Sequence, residues 1–195
     1  MKISESQRMN IVYKQFIIKI IDEPDYENDS SDNIFRYSKI YLGNDSTYHI
    51  TSSHGIKVFY EGQVIYSCII KGSQGTTGVN QNSFMIDEDQ LVICCSDTIF
   101  CLSLPDLDLM WKMQADPITC FQIFKQNDDY LVHGEIQVTK LNKNGKIIWQ
   151  FEGDDIFVSL DDESFRIEND SILLMDFSNR KYKIDFDGKI IEGTK

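Results

Sequence analysis

A single alanine, Ala115, stands against 27 isoleucines in this chain of 195 residues. Alanine is the strongest helix former, whereas β-branched and aromatic residues suit a pleated, half-buried surface. The chain adds 12 Phe, 9 Tyr and 2 Trp. That imbalance predicts an all-β fold. Periodicity agrees: in Lys181–Phe186, Tyr182, Ile184 and Phe186 point one way and the charges the other, and Ser164–Glu168 alternates likewise. No segment carries a capped stripe of 3.6-residue period. The closest, Ile11–Ile21, is read as one buried strand because of its paired isoleucines.

Turn chemistry divides the remainder into short strands. Glu61-Gly62, Ser96-Asp97, Asn142-Lys143-Asn144-Gly145 and Asp187-Gly188 each separate two apolar runs, and Asn, Asp and Gly tolerate the positive φ that tight hairpins need. Four of the strands that follow or accompany such turns look like copies: Gln63-Val64-Ile65-Tyr66, Leu109-Met110-Trp111, Lys146-Ile147-Ile148-Trp149 and Lys189-Ile190-Ile191. The positions Tyr66, Trp111, Trp149 and Ile191 recur at intervals of 45, 38 and 42 residues. A period near 40 with several strands in each is the pattern of propeller blades, small sheets that must stack on neighbours to bury both faces.

The segments Leu91-Val92-Ile93, Ile99-Phe100-Cys101-Leu102 and Leu109-Met110-Trp111-Lys112 resemble a blade of the quinoprotein-alcohol-dehydrogenase-like propellers, a PQQ-like and WD-like repeat type. The resemblance covers roughly residues 47–192 and implies a small or partial β-propeller of about four to five blades. It implies little about activity, since such repeats occur in many non-catalytic scaffolds. The expected organisation is one domain over 1–195. Residues 11–46 supply N-terminal strands and an acidic loop, and 47–81, 82–116, 117–153 and 154–195 are repeated sheet units. Four units could close a ring, form an open arc, or gain a fifth sheet from residues 11–43.

With 31 acidic and 19 basic residues the formal charge is −12, which argues against a phosphate-backbone partner and suits a basic protein. No apolar run approaches 18 residues and the N-terminus lacks a secretory h-region, so neither a membrane partner nor export is expected. A cytoplasmic location follows as an expectation. Asp22–Asp32 holds six acidic residues in eleven positions and reads as a solvated loop joining strands 11–21 and 34–42, or as a docking site for a basic partner.

The five cysteines, including the vicinal pair Cys94-Cys95, sit in apolar strands without Cys-x-x-Cys spacing and read as core. In some quinone-binding propellers adjacent cysteines form a disulfide beside the cofactor, but these lie mid-strand. No cofactor and no metal site is expected. The histidines, His49, His54 and His133, lack ligand spacing. His133-Gly134-Glu135 joins an imidazole, a flexible point and a carboxylate, which could support acid–base work or simply make a turn. The run Lys71–Asn82 has Gly-x-x-Gly-x-x-Gly spacing, matching neither a Walker loop nor a dinucleotide fingerprint. It is a long inter-blade loop whose Thr76, Thr77 and Asn80 would lie near any partner. Paired acids such as Asp154-Asp155 and Asp161-Asp162-Glu163 have no fixed spacing to a second acid and do not point to glycosidase chemistry, and Asp161-Asp162-Glu163-Ser164 reads as a hairpin turn.

These readings favour a non-catalytic scaffold that binds a macromolecular protein partner, for example an immunity-type inhibitor of a basic toxin. The alternative is a small-ligand-binding protein or hydrolase-type enzyme using His54, His133 and Glu135 at one end of the propeller. Convergence of those three on one pocket would favour it. A purely structural unit that self-associates through its sheet edges is a third possibility.

Overall fold

The computed structural model describes residues 8–43, 49–158 and 164–193, so the acidic turn 161–163 lies outside the described residues. Within these, every regular element is a strand. The first sheet contains β1 (Arg8–Tyr13), β2 (Phe16–Asp22), β3 (Lys39–Leu42), β4 (Ser52–Tyr60) and β5 (Gln63–Gly72). Three four-stranded sheets follow: β6 (Phe84–Asp87) to β9 (Leu109–Gln114), β10 (Cys120–Gln126) to β13 (Ile147–Glu152), and β14 (Phe165–Ile167) to β17 (Ile190–Gly193). Between them run β7 (Gln90–Cys95), β8 (Thr98–Ser103), β11 (Asp129–Gly134), β12 (Gln137–Leu141), β15 (Ile172–Met175) and β16 (Lys181–Ile184). Each later sheet is an antiparallel meander in sequence order. The first has the order β1-β2-β4-β5-β3, with β3 parallel to β5.

The N-terminal strand expected over 11–21 is thus a hairpin. Lys14 takes φ 51° at the turn, and Ile11 pairs with Ile18 across it. Lysine carries no turn signature, so the run of isoleucines reads through the break. The strand expected over 34–42 is only the four residues of β3. The predicted hairpins at Gly62, Ser96, Gly145 and Gly188 all form, each of these residues at positive φ.

Alternation makes the sheets stack. Ile18, Ile20, Ile56, Val58 and Ile70 of the first sheet meet Leu91, Ile93, Cys95, Phe100 and Leu102 of the second. The opposite face of the second sheet, Val92, Cys94, Ile99 and Cys101, packs on Cys120, Ile123, Tyr130 and Val132 of the third. Leu131, Val138 and Phe151 then pack on Phe165, Ile172, Leu174 and Ile184 of the fourth. Among the described residues the three clusters join four sheets in succession, and none joins the fourth back to the first. This is a partial β-propeller. Cys94 and Cys95 point to opposite faces of β7, as the pleat requires. They belong to different cores. All five cysteines are buried free thiols. No helix in the described residues is long and apolar enough to cross a membrane.

The large repeat residues lock successive sheets. A Cβ on Gly145 would lie 2.4 Å from Trp111, and one on Gly188 would lie 2.7 Å from Trp149. Trp149 Nε1 donates to the Phe186 carbonyl at 3.0 Å. Each indole of one sheet therefore rests on the hairpin turn of the next, which glycine alone leaves room for. Tyr66, at the same repeat position, is exposed and rests on no turn glycine among the described residues.

Candidate functional site

In a four-stranded meander, the turn between the second and third strands and the link to the next sheet emerge at the same end. Here those connections bond to one another from sheet to sheet. Gly75 N donates to Ile118 O, Glu135 N to Thr119 O, Phe157 N to Glu135 O, and Phe177 N to Ile156 O. Asp116 is buried at the centre of this end. Its Oδ1 accepts from Ile118 N and Thr119 N, at 2.7 and 2.9 Å. Its Oδ2 accepts from Ile136 N and Gln137 N, both at 2.8 Å.

The residues singled out in the sequence all lie toward this end, in different roles. Thr77 is buried: its amide donates to Ser52 Oγ at 2.9 Å, and its hydroxyl lies within bonding reach of Ser96 O and Cys120 O, at 3.3 and 3.0 Å. It staples three sheets. Thr76 and Asn80 are exposed. Asn80 accepts from Asn82 N and donates its own amide to Ser83 Oγ. Glu135 Oε2 accepts from Thr119 Oγ1 at 2.8 Å.

His133 lies inside the interface of the third and fourth sheets, stacked on Phe165 at 4.8 Å and edge-on to Phe121 at 5.5 Å. Its Nε2 is 3.1 Å from Phe157 O and its Nδ1 3.3 Å from Gln122 Oε1. Burial lowers its pKa to about 4, partly offset by the Phe157 carbonyl, so the ring is neutral at pH 7. His54 is fully buried in the first sheet. Its Nδ1 lies 3.2 Å from Asp22 Oδ1, yet neither ring nitrogen has an aligned hydrogen-bond partner among the described residues. His54 and His133 thus occupy separate sheets, and Glu135 is engaged with Thr119. No group of three His, Cys, Asp or Glu side chains among the described residues is placed to hold a metal ion.

A cleft of about 490 Å³ opens at the same end of the first sheet, between the acidic segment and Leu42, Ile50 and Lys71. Lys71 is buried and fixes the segment. Its Nζ donates to Tyr26 O at 3.2 Å and Asn28 Oδ1 at 3.0 Å, and sits 5.0 Å from the Tyr26 ring centre. Burial lowers its pKa, and the Glu27 charge opposes that shift. Tyr26 packs edge-on against Tyr37 at 5.4 Å, and Tyr37 donates to the buried Glu23 at 2.7 Å. Asn33 clamps the segment on itself: it accepts from Glu27 N and donates to Glu27 O. The segment Asp22–Asp32 is therefore folded against the first sheet rather than wholly solvated. Counting charges alone missed this; Tyr26, Phe35 and Tyr37 were the available signal. Asp25, Glu27, Asp29 and Asp32 remain exposed and form no ion pair among the described residues.

No family model and no curated protein matches this chain. Solved structures do. The computationally designed Ika8 protein superposes with a TM-score of 0.50 at 9% identity, over 95% of this chain and 60% of that one. BamB from Moraxella catarrhalis gives 0.48 at 13% identity, over 72% and 43%. The Neurospora crassa Pan2 WD40 domain gives 0.47 at 13%, over 58% and 37%. The chain spans less than two thirds of the length of each. Likeness at this identity concerns the fold alone.

Proposed function

We propose that this protein is a non-catalytic propeller scaffold whose loop end binds a basic protein partner. The observation that carries this reading is the fixed acidic segment. Lys71, Tyr26, Tyr37 and Asn33 hold in place, beside a cleft, four exposed carboxylates that form no ion pair among the described residues. A surface ordered before binding avoids the entropy cost of ordering it on contact. The charge of −12 supplies long-range attraction to a cationic partner. An immunity-type inhibitor of a basic toxin is the specific form of this reading. The repeats are assigned to the quinoprotein-like type, supported by the Trp111–Gly145 and Trp149–Gly188 contacts. Five reduced, buried thiols suit the cytoplasm. His54, His133 and Glu135, held in separate packing roles, lend the hydrolase reading no support.

The test is capture of partners from the native host at low and high salt, by the wild type and by D25N/E27Q/D29N/D32N. A basic protein retained at low salt, released at high salt and lost with the variant is the expected result. Equal capture by both proteins, or binding indifferent to salt, refutes the assignment.

A further inference from the structure

The face of the first sheet turned away from the second carries a small basic pocket that the acidic loop end does not use. It has a volume of about 170 Å³ and is lined by Arg8, Asn10, Lys19, Ile21, Phe35, Lys57 and Phe59. The register explains the charge. Asn10 pairs with Lys19 across β1 and β2, and Lys19 pairs with Lys57 across β2 and β4. Directly opposed residues on one sheet face have Cβ atoms about 5 Å apart, where like charges repel. Neither lysine forms an ion pair among the described residues, and neither does Arg8. The nearby Glu23 carboxylate is occupied by Tyr37 and acts on Lys57 and Arg8 only through its field.

What holds the cations in place is aromatic. Lys57 Nζ lies 3.7 Å from the Phe35 ring centre and 5.3 Å from that of Tyr37, while Lys19 Nζ lies 4.6 Å from Phe59. The rings keep the ammonium groups beside the pocket and partly desolvated, which strengthens their attraction for an anion. Burial lowers the Lys57 pKa; the Glu23 charge opposes that shift and Lys19 adds to it. In a chain with 31 carboxylates, three cations come together here, and none of them forms an ion pair among the described residues.

We propose that this pocket binds a small oxyanion, a phosphate or carboxylate group, between Arg8, Lys19 and Lys57, with the Asn10 amide as a further donor. A guanidinium fork and two ammonium groups supply charge-assisted hydrogen bonds. The volume is below the ~300 Å³ at which drug-sized ligand pockets begin, so it admits a single anionic group and not a bulky molecule. The group reaches the protein either on a small metabolite or on an acidic polypeptide, and competition separates the two.

The experiment is titration of the full chain with inorganic phosphate and with acetate, read by amide resonances and by thermal midpoint. Phosphate or acetate should shift resonances of residues 8–10, 19–21 and 57–59 and raise the midpoint, because a ligand bound to the native state stabilises it. Lys57→Gln should weaken binding about tenfold, the loss of one charge-assisted contact. The variant K19Q/K57Q should abolish the response while keeping the dispersed amide spectrum of the folded wild type. D25N/E27Q/D29N/D32N should bind phosphate normally, which separates this site from the loop end. Displacement of phosphate by a short acidic peptide assigns the anion to a polypeptide; failure to displace it assigns it to a metabolite. Absence of resonance shifts in the wild type with either anion overturns the proposal, as does an undiminished response in K19Q/K57Q.

Discussion

Asp116→Asn is the substitution that most directly probes how the loop end is held. The wild-type carboxylate is 1% exposed and accepts four backbone N–H groups, two on each oxygen. A carboxamide has the same shape but one acceptor oxygen. Whichever way it turns, its NH₂ faces two N–H donors that then lack a partner. Each buried donor left unsatisfied costs ~1–3 kcal/mol, so the pair costs about 4 kcal/mol. For a chain of this size that is a fall in melting temperature of about 10 °C. Asp116→Ala orphans all four donors and should fall further. Urea and thermal unfolding give the magnitude. Amide exchange gives the location: protection should drop at Ile118, Thr119, Ile136 and Gln137 before elsewhere. An Asn variant within about 1 kcal/mol of wild type would refute the reasoning, since those donors would then have found other acceptors.

Two further outcomes follow from the same contacts. Gly62→Ala and Gly188→Ala both place a side chain at positive φ, 80° and 77°, but only Gly188 faces Trp149. Gly62→Ala should cost about 1 kcal/mol from backbone strain alone, and Gly188→Ala about 2–3 kcal/mol because the indole must also move; equal costs in urea unfolding would remove the docking argument. His133 has a folded pKa of about 4 against 6.5 in the unfolded chain, so the unfolded state binds more protons between those values. Its contribution is complete above pH 6.5 and is lost as pH falls toward 4, by up to about 3 kcal/mol. Stability measured at pH 7 and pH 4.5 should show that loss, and His133→Leu should flatten it; an unchanged slope in the variant would mean other groups carry it.

Strand propensity and turn chemistry are local, so the class of fold is readable from the residues alone. Twenty-seven isoleucines, one alanine and a hairpin turn at Gly62, Ser96, Gly145 and Gly188 admit few structures other than repeated small sheets. The recurrence of Trp111 and Trp149 at one repeat position was legible, whereas the room that the turn glycines make for each indole was not. Cys94 and Cys95 were legible as core, since they end the apolar run Leu91–Cys95 and free cysteine packs as a small hydrophobe.

What the tertiary structure decided depends on groups far apart in the chain. The hairpin at Lys14 sets β2 between β1 and β4, so its place is fixed by pairing with a strand far along the chain. The acidic segment folds against the first sheet through Lys71, which lies 43 residues beyond Asn28. His133 reads as a catalytic candidate beside Glu135 until the fourth sheet buries it against Phe165. The basic pocket is invisible in a chain of net negative charge, since Lys19 and Lys57 become neighbours only through strand register. Local preference sets the period and the faces; which faces meet, and which charges are brought together, is fixed by pairing across the chain.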